Sequence, residues 1–155
     1  MKERLTNILL TTVFVMTFLT AGAVVSTSAQ EMKQKSLYER LGGYDAIAAV
    51  TDDLIGRLVN DKKLGRYFVG LSTDSKKKLR QHLVNFLCAA TGGPCVYTGR
   101  DMKTSHAGLG ISEEDWEITV KHLKDTLNKF KVPDKEQSEV FAAVGGTKKD
   151  IVEKQ

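Results

Sequence analysis

Cysteine and histidine are scarce in this chain, with two of the first and three of the second among 155 residues. Cys88 and Cys95 form no Cys-x-x-Cys-His run, which excludes the thioether attachment of a c-type cofactor. A zinc site is also poor, since two histidines across a wide apolar gap leave too few ligands. No serine or cysteine stands with a histidine and a third orienting group, so a protease or hydrolase has no support. Basic residues outnumber acidic ones by 23 to 19, a net charge of +4, yet they are dispersed and often paired with Glu or Asp. The one run, Lys76-Lys77-Lys78, sits early in a helical pattern and reads as a solvated face. A nucleic-acid surface needs a basic stripe with aromatic or recognition-helix context, and that is missing. Strict strand alternation over more than a few residues is missing too, as is any internal repeat. The fold class is therefore all-α.

The N-terminus is composed differently from the rest. Lys2 and Arg4 precede an apolar run, Ile8 to Val25, and small residues follow up to Thr27-Ser28-Ala29. That layout predicts a signal peptide over residues 1–29, and the run is also long enough for an N-terminal membrane anchor. Both readings put the folded part in the periplasm or otherwise outside the cytoplasm of a bacterial host, with a possible tether through residues 8–25. Residues 30–35 are polar and read as a flexible lead-in. Residues 36–155 are enough for one hydrophobic core but not two.

Within 36–155 the pattern is helical. Ser36 to Leu41 predicts a short helix stopped by Gly42-Gly43. From Asp45, Ile47, Val50, Leu54 and Leu58 recur at helical spacing, with Ile55 and Val59 widening the stripe. Leu64, Tyr67 and Phe68 form a compact apolar turn. A helix from Thr73 to Thr91 follows, with Thr73 expected as its cap and Leu79, Leu83, Phe86, Leu87 and Ala90 on its apolar face. Gly92-Gly93-Pro94 stops it. Ser112-Glu113-Glu114-Asp115 opens the helix with the cleanest stripe, Trp116, Val120, Leu123, Leu127 and Phe130, running to Phe130. Pro133-Asp134 opens a last helix, weakened in its middle by Gly145-Gly146 and continued through Ile151-Val152. In an oxidising compartment Cys88 and Cys95 can close a loop of about eight residues, worth about 2 to 3 kcal/mol. Two unlinked thiols, with Cys88 as core filler, fit the spacing as well.

Two histidines stand out. His106 lies on a short polar and glycine-rich segment, Met102 to Ile111, between the two long amphipathic helices. Taken singly it reads as a surface or helix-end residue. His82, however, sits on or beside the apolar stripe of the preceding helix, three residues after Leu79 and four before Phe86. Two imidazoles facing one apolar space can hold a metal or a heme iron. His122, on the flanking side of the Trp116 helix, reads as structural or exposed.

From about Ser36 to Lys149 the chain resembles the truncated hemoglobins of the first group. The resemblance rests on Leu37-Tyr38-Glu39-Arg40-Leu41-Gly42-Gly43, the Tyr67-Phe68 pair, Gly92-Gly93-Pro94 with Tyr97-Thr98-Gly99-Arg100, and Met102-Lys103-x-x-His106-x-x-x-Gly110-Ile111. It implies a two-over-two helical sandwich around non-covalent heme b, with the proximal helix shrunk to about a turn. By position, His106 matches the proximal iron ligand and Phe68 the aromatic on the porphyrin face. Leu79, Leu83 and Phe86 match distal-helix positions, and Met102 and Ile111 match proximal walls. Ile55 and Trp116 are expected to complete the lining. Tyr97 and Arg100 are placed to reach the propionate edge, or else are ordinary loop residues.

The departures from the family pattern bear on mechanism. The distal tyrosine of many relatives is Ile55 here, and the usual polar positions are Leu79 and Leu83. None of the three donates a hydrogen bond to bound dioxygen, which forfeits roughly 1.5 to 3 kcal/mol. His82 matches a distal histidine that binds iron as a sixth ligand in some relatives; its alternatives are a propionate partner, a distal lid, or an edge position. A C-terminal histidine that joins a heme vinyl group in some relatives is matched nearest by Thr147, so no covalent link is expected. The resemblance implies binding of oxygen, nitric oxide and carbon monoxide, with nitric oxide or nitrogen-oxide detoxification as a possible turnover. The alternative is a bis-histidyl protein for electron transfer or sensing. No flavin or nicotinamide domain is present in this sequence, so an external electron donor is expected, and the protein is expected to be a monomer.

Overall fold

Helix starts in this chain are set by local side-chain caps. Ser36 accepts from the Glu39 amide while the Glu39 carboxylate accepts from the Ser36 amide at 2.7 Å, opening α1, Leu37–Arg40. After Gly42, which turns through a left-handed φ of 101°, α2 runs Gly43–Asn60. A 3-10 turn, Leu64–Phe68, leads to α3, Thr73–Ala90. Then come α4, Met102–His106; α5, Glu113–Lys129; α6, Asp134–Gly145; and α7, Lys148–Ile151. These elements are those of a computed structural model that describes residues 34–154.

Helix α2 lies against both α3 and α5, and α6 packs on α5 and α1. That is an all-α fold of two packed helix pairs, as expected from the periodicity. The core follows the predicted stripes on α2 and most of α5, where only Phe130 of the predicted face is exposed. On α3 it is rotated: Val84, outside the predicted face, is fully buried, Leu79, Leu83 and Phe86 are half-buried, and Ala90 is exposed. Leu37, Val50, Leu54, Leu123, Leu127 and Val140 bury together, and Ile47, Val84, Leu87 and Cys88 form a second cluster beneath α3. Each leucine or valine buried in this way contributes roughly 1.5 to 3 kcal/mol. Across the seam, Asp53 of α2 accepts from Arg57 at 2.7 Å and from the fully buried Thr126 of α5 at 2.9 Å, and also pairs with Lys129.

The structure differs from the sequence reading in several places. The cap of α3 is Ser72, not Thr73: Ser72 has the extended backbone a cap requires, and its hydroxyl accepts from the Ser75 amide at 3.1 Å. Helix α6 stops at Gly145 instead of continuing, since two successive glycines are poor helix formers. The Thr147 hydroxyl donates to the Val144 carbonyl there, and α7 is a separate turn. Of the two readings of the cysteines, the bonded one holds. Cys88 and Cys95 form a disulfide with Cα atoms 5.7 Å apart, and Cys88 is also fully buried.

The tether expected through residues 8–25, and the periplasmic or extracytoplasmic placement expected with it, are corrected. Among the described residues no helix is long and apolar enough to cross a membrane. A span needs about 20 apolar residues, whereas α2 and α3 have 18 each and carry charges along one face. The leader read over 1–29, including residues 8–25, lies outside the described residues, as do 30–33 of the lead-in.

Candidate functional site

Helix α4 is one turn long and buries none of its residues. Its start is fixed by Asp101, which accepts from the Thr104 amide and the Thr104 hydroxyl, both at 2.8 Å. The Ser105 hydroxyl donates back to the Arg100 carbonyl. His106 closes the turn, half-buried, with Nδ1 2.7 Å from the Met102 carbonyl oxygen. A carbonyl only accepts, so Nδ1 must carry the proton. In the neutral ring the lone pair is then on Nε2, which makes no hydrogen bond among the described residues. The chain leaves His106 through Gly108 and Gly110, both at positive φ (78° and 65°), where side chains are strained. Their two amides converge on the carboxylate of Glu153, at 2.7 and 2.6 Å. The Gly108 bond, then the Gly110 bond, hold the Glu153 carboxyl below the usual range.

Helix α3 carries the second histidine. Val84, Leu87 and Cys88 are buried in the core, whereas Leu79, His82, Leu83 and Phe86 are half-buried on another stripe. The His82 Nδ1 is buried and has no hydrogen-bond partner among the described residues. A buried polar atom without a partner costs about 1 to 3 kcal/mol. Tyr97 packs edge-on against His82 and Phe86, with ring centroids 6.1 and 5.7 Å away. Its hydroxyl donates to the Arg100 carbonyl at 2.7 Å. The disulfide, two residues before Tyr97, ties this loop to the end of α3. The Arg100 side chain is exposed and has no ion-pair partner among the described residues.

The remaining predicted residues are spread over several elements. Ile55 on α2, Phe68 at the end of the 3-10 turn, Met102 on α4 and Ile111 past the glycine loop are half-buried, and Trp116 on α5 is buried. The 3-10 turn is locked to α5 by Asp115, a carboxylate only 2% exposed. It accepts from the Tyr67 hydroxyl at 2.9 Å, from Arg66 at 2.9 and 3.1 Å, and from the amide and hydroxyl of Ser112. Burial pushes its pKa up, but the Ser112 and Tyr67 hydrogen bonds and the Arg66 charge outweigh that and leave it lowered.

His122 takes no part in this arrangement. Its Nε2 bonds Asp61 at 2.8 Å at the end of α2, and this bond, with the Leu64 and Lys63 amides, pulls the Asp61 carboxyl down to about 2. A separate apolar cavity of about 110 Å³, between Leu41, Ile47, Val50, Leu87, Leu123 and Leu127, belongs to the core and touches neither His82 nor His106.

Three contributors escaped the sequence reading. Asp101, three residues before Thr104, had a local signature in its capping pattern. Asp115 was read only as part of a helix start, and its bonds to Arg66 and Tyr67 span 49 and 48 residues. Glu153 binds 45 and 43 residues away, which no local pattern announces.

The model of the bacterial-like globin family matches residues 36–153. A group 1 truncated hemoglobin of Mycolicibacterium paratuberculosis is 35% identical over 109 residues, 70% of this chain and 78% of that protein. Another, from Nostoc commune, is 39% identical over 92 residues, 59% of this chain and 75% of its own. Among solved structures, the truncated hemoglobin of Tetrahymena pyriformis in its Fe(III) form aligns with a TM-score of 0.70 at 25% identity, covering 76% of this chain and 98% of that one. The 2/2 hemoglobin of Synechococcus, in the cyanomet state with covalently attached heme, gives 0.69 at 27% identity with coverage of 76% and 98%. Helix order, family match and these relatives agree: the chain belongs to the group 1 truncated hemoglobins, the two-over-two branch of the globins.

Proposed function

We propose that this chain holds heme b non-covalently between the His82 face of α3 and α4, with His106 as the iron ligand, and binds oxygen, nitric oxide and carbon monoxide. The observation that carries the reading is the His106 ring. Its Nδ1 proton is committed to the Met102 carbonyl, so the neutral ring presents an Nε2 lone pair with no competing hydrogen bond. Among the described residues no three His, Cys, Asp or Glu side chains form a metal-ion cluster, so an iron here would rest on one or two imidazoles. When bound, the heme would supply an iron centre able to bind diatomic gases, held by His106. Half-buried Ile55, Phe68, Leu79, Leu83, Phe86, Met102 and Ile111, with Trp116, offer the apolar surface that a macrocycle needs on its faces. Arg100, exposed and unpaired, is available to a propionate.

Ile55, Leu79 and Leu83 exclude water but donate nothing to a polarised ligand. Oxygen affinity should therefore fall roughly ten- to a hundredfold relative to relatives with a distal donor. Slow-release storage and oxidation of nitric oxide by bound oxygen are both weakened by this. Nitrogen-oxide chemistry with electrons from an external donor suits the site better than storage if His82 also ligates the iron. A second reading, favoured by the unpartnered His82 Nδ1, is bis-histidyl ligation for electron transfer or gas sensing. A covalent heme link is not part of either reading, because Thr147 stands where the linking histidine is expected and its hydroxyl is bonded to Val144. Ferrous and ferric spectra, with and without carbon monoxide, for wild type and His82→Ala separate the two. A six-coordinate low-spin spectrum that becomes five-coordinate on substitution supports the second reading. A five-coordinate spectrum in both proteins supports the first, and a protein purified without any heme absorbance overturns both.

A further inference from the structure

A single helical turn that buries nothing cannot hold its own conformation, so the position of His106 must be imposed from outside α4. Its start is held by Asp101 and its end by the glycine loop, and the loop is held by Glu153. We infer that Glu153 is a positioning residue for His106: its carboxylate clamps the loop that follows the histidine and fixes a negative charge on the amide two residues beyond it. This rests on the reading of His106 as the iron ligand.

The geometry is that of an anion cradle. Gly108 and Gly110 both adopt left-handed backbone, and their amides meet the two separate oxygens of one carboxylate. Between them the Leu109 amide donates to the His106 carbonyl at 3.1 Å, so the three successive residues 108 to 110 are all bonded. The segment bearing Glu153 is itself pinned. The Glu153 and Lys154 amides donate to the Ile111 carbonyl at 2.8 and 3.1 Å, and the Lys154 carbonyl accepts from the Glu113 amide at 3.0 Å. This makes the isolated parallel bridge between Ser112 and Lys154, and α7 packs on α4 just before it. The loop joining His106 to α5 thus takes its shape from residues more than forty positions later. Glutamine has the size of glutamate but only one accepting oxygen, and its amide would face a second N–H. Substitution therefore removes the charge and one of the two bonds while leaving the bridge.

The test uses the heme-loaded full chain carrying Glu153→Gln, with Glu139→Gln, a carboxylate paired with Arg40, as the control for charge loss alone. Three quantities are read: the ferrous iron–imidazole stretching band in a His82→Ala background, the midpoint potential, and the rate of heme transfer to a high-affinity acceptor protein. Glu153→Gln should shift or broaden the band, raise the potential and speed heme loss about tenfold, while Glu139→Gln changes none of them. A band and potential identical to wild type overturn the inference, even if heme loss quickens, since a plain tail tether would do that. Should the variant not fold, amide hydrogen exchange in the wild type still decides: protected Gly108 and Gly110 amides support the clamp, and exchange at free-peptide rates overturns it. A His82→Ala protein lacking the iron–imidazole band overturns the His106 reading instead, a result the amide measurement does not depend on.

Discussion

The two helices that carry the histidines are secured by opposite means. Helix α3 has 18 residues and anchors itself by burying Val84, Leu87 and Cys88 on its core face, so His82 rides on a rigid support. Helix α4 has five residues and buries none, so His106 depends on polar bonds from Asp101, Met102 and the Glu153-clamped loop. Burial is spread over many contacts and survives single changes. A cap or a carboxylate clamp is one or two bonds and does not. The histidine proposed to hold iron is therefore the one whose placement is easiest to disturb without unfolding the protein.

The largest effect should come from His106→Ala. Heme retention with an axial imidazole signal should be lost, while the helical circular dichroism stays near wild type because α4 contributes no core. Heme bound with the same axial nitrogen signal would sink the assignment. Next is the disulfide, the covalent link on the α3 side. Replacing both Cys88 and Cys95 by serine should lower stability by about 2.5 kcal/mol on the loop-entropy estimate. Urea denaturation reads this, and the iron–imidazole band should not follow. If the band shifts as much as in Glu153→Gln, the two sides are not held independently.

A smaller effect is expected at the α4 cap. Asp101→Ala should cost about 1 kcal/mol, read as roughly fivefold faster heme release, whereas Ser72→Ala at the α3 cap should leave heme release alone. Equal effects from the two caps would break the contrast. The smallest test lies in acid, away from both histidines. The His122 hydrogen bond, with those of the Leu64 and Lys63 amides, holds the Asp61 carboxyl down to about 2 in the fold, below the ordinary carboxylate range. Its contribution is present above the unfolded value and is lost as pH falls from about 4 toward 2. Asp61→Asn should flatten the loss of stability in that window and leave the heme spectrum at neutral pH unchanged. An unaltered slope between pH 4 and 2 would refute the assignment.

Much of this was legible in advance because helices announce themselves locally. The stripes Ile47-Val50-Leu54 and Leu123-Leu127 are buried where periodicity put them, and Ser112 caps α5 as its spacing to Asp115 foretold. The slip at Ser72 against Thr73 has the same origin: adjacent hydroxyl residues both satisfy the pattern, and only the backbone conformation chooses between them. The break at Gly145 was visible as a weakness but not as an end, since whether a helix survives two glycines depends on what packs on it.

The sequence by itself determined the helix order, the apolar faces, the family and the two histidines, because all of these follow from spacings of three or four residues or from motifs read in one line. Only the tertiary structure decided which ring nitrogen of His106 is protonated, that the buried Nδ1 of His82 has no hydrogen-bond partner among the described residues, that the cysteines are joined, and that Glu153 and Asp115 brace elements more than forty residues distant. Those outcomes depend on which groups meet across the fold, and a hydrogen bond or a bridge between remote residues leaves no trace in the order of their neighbours.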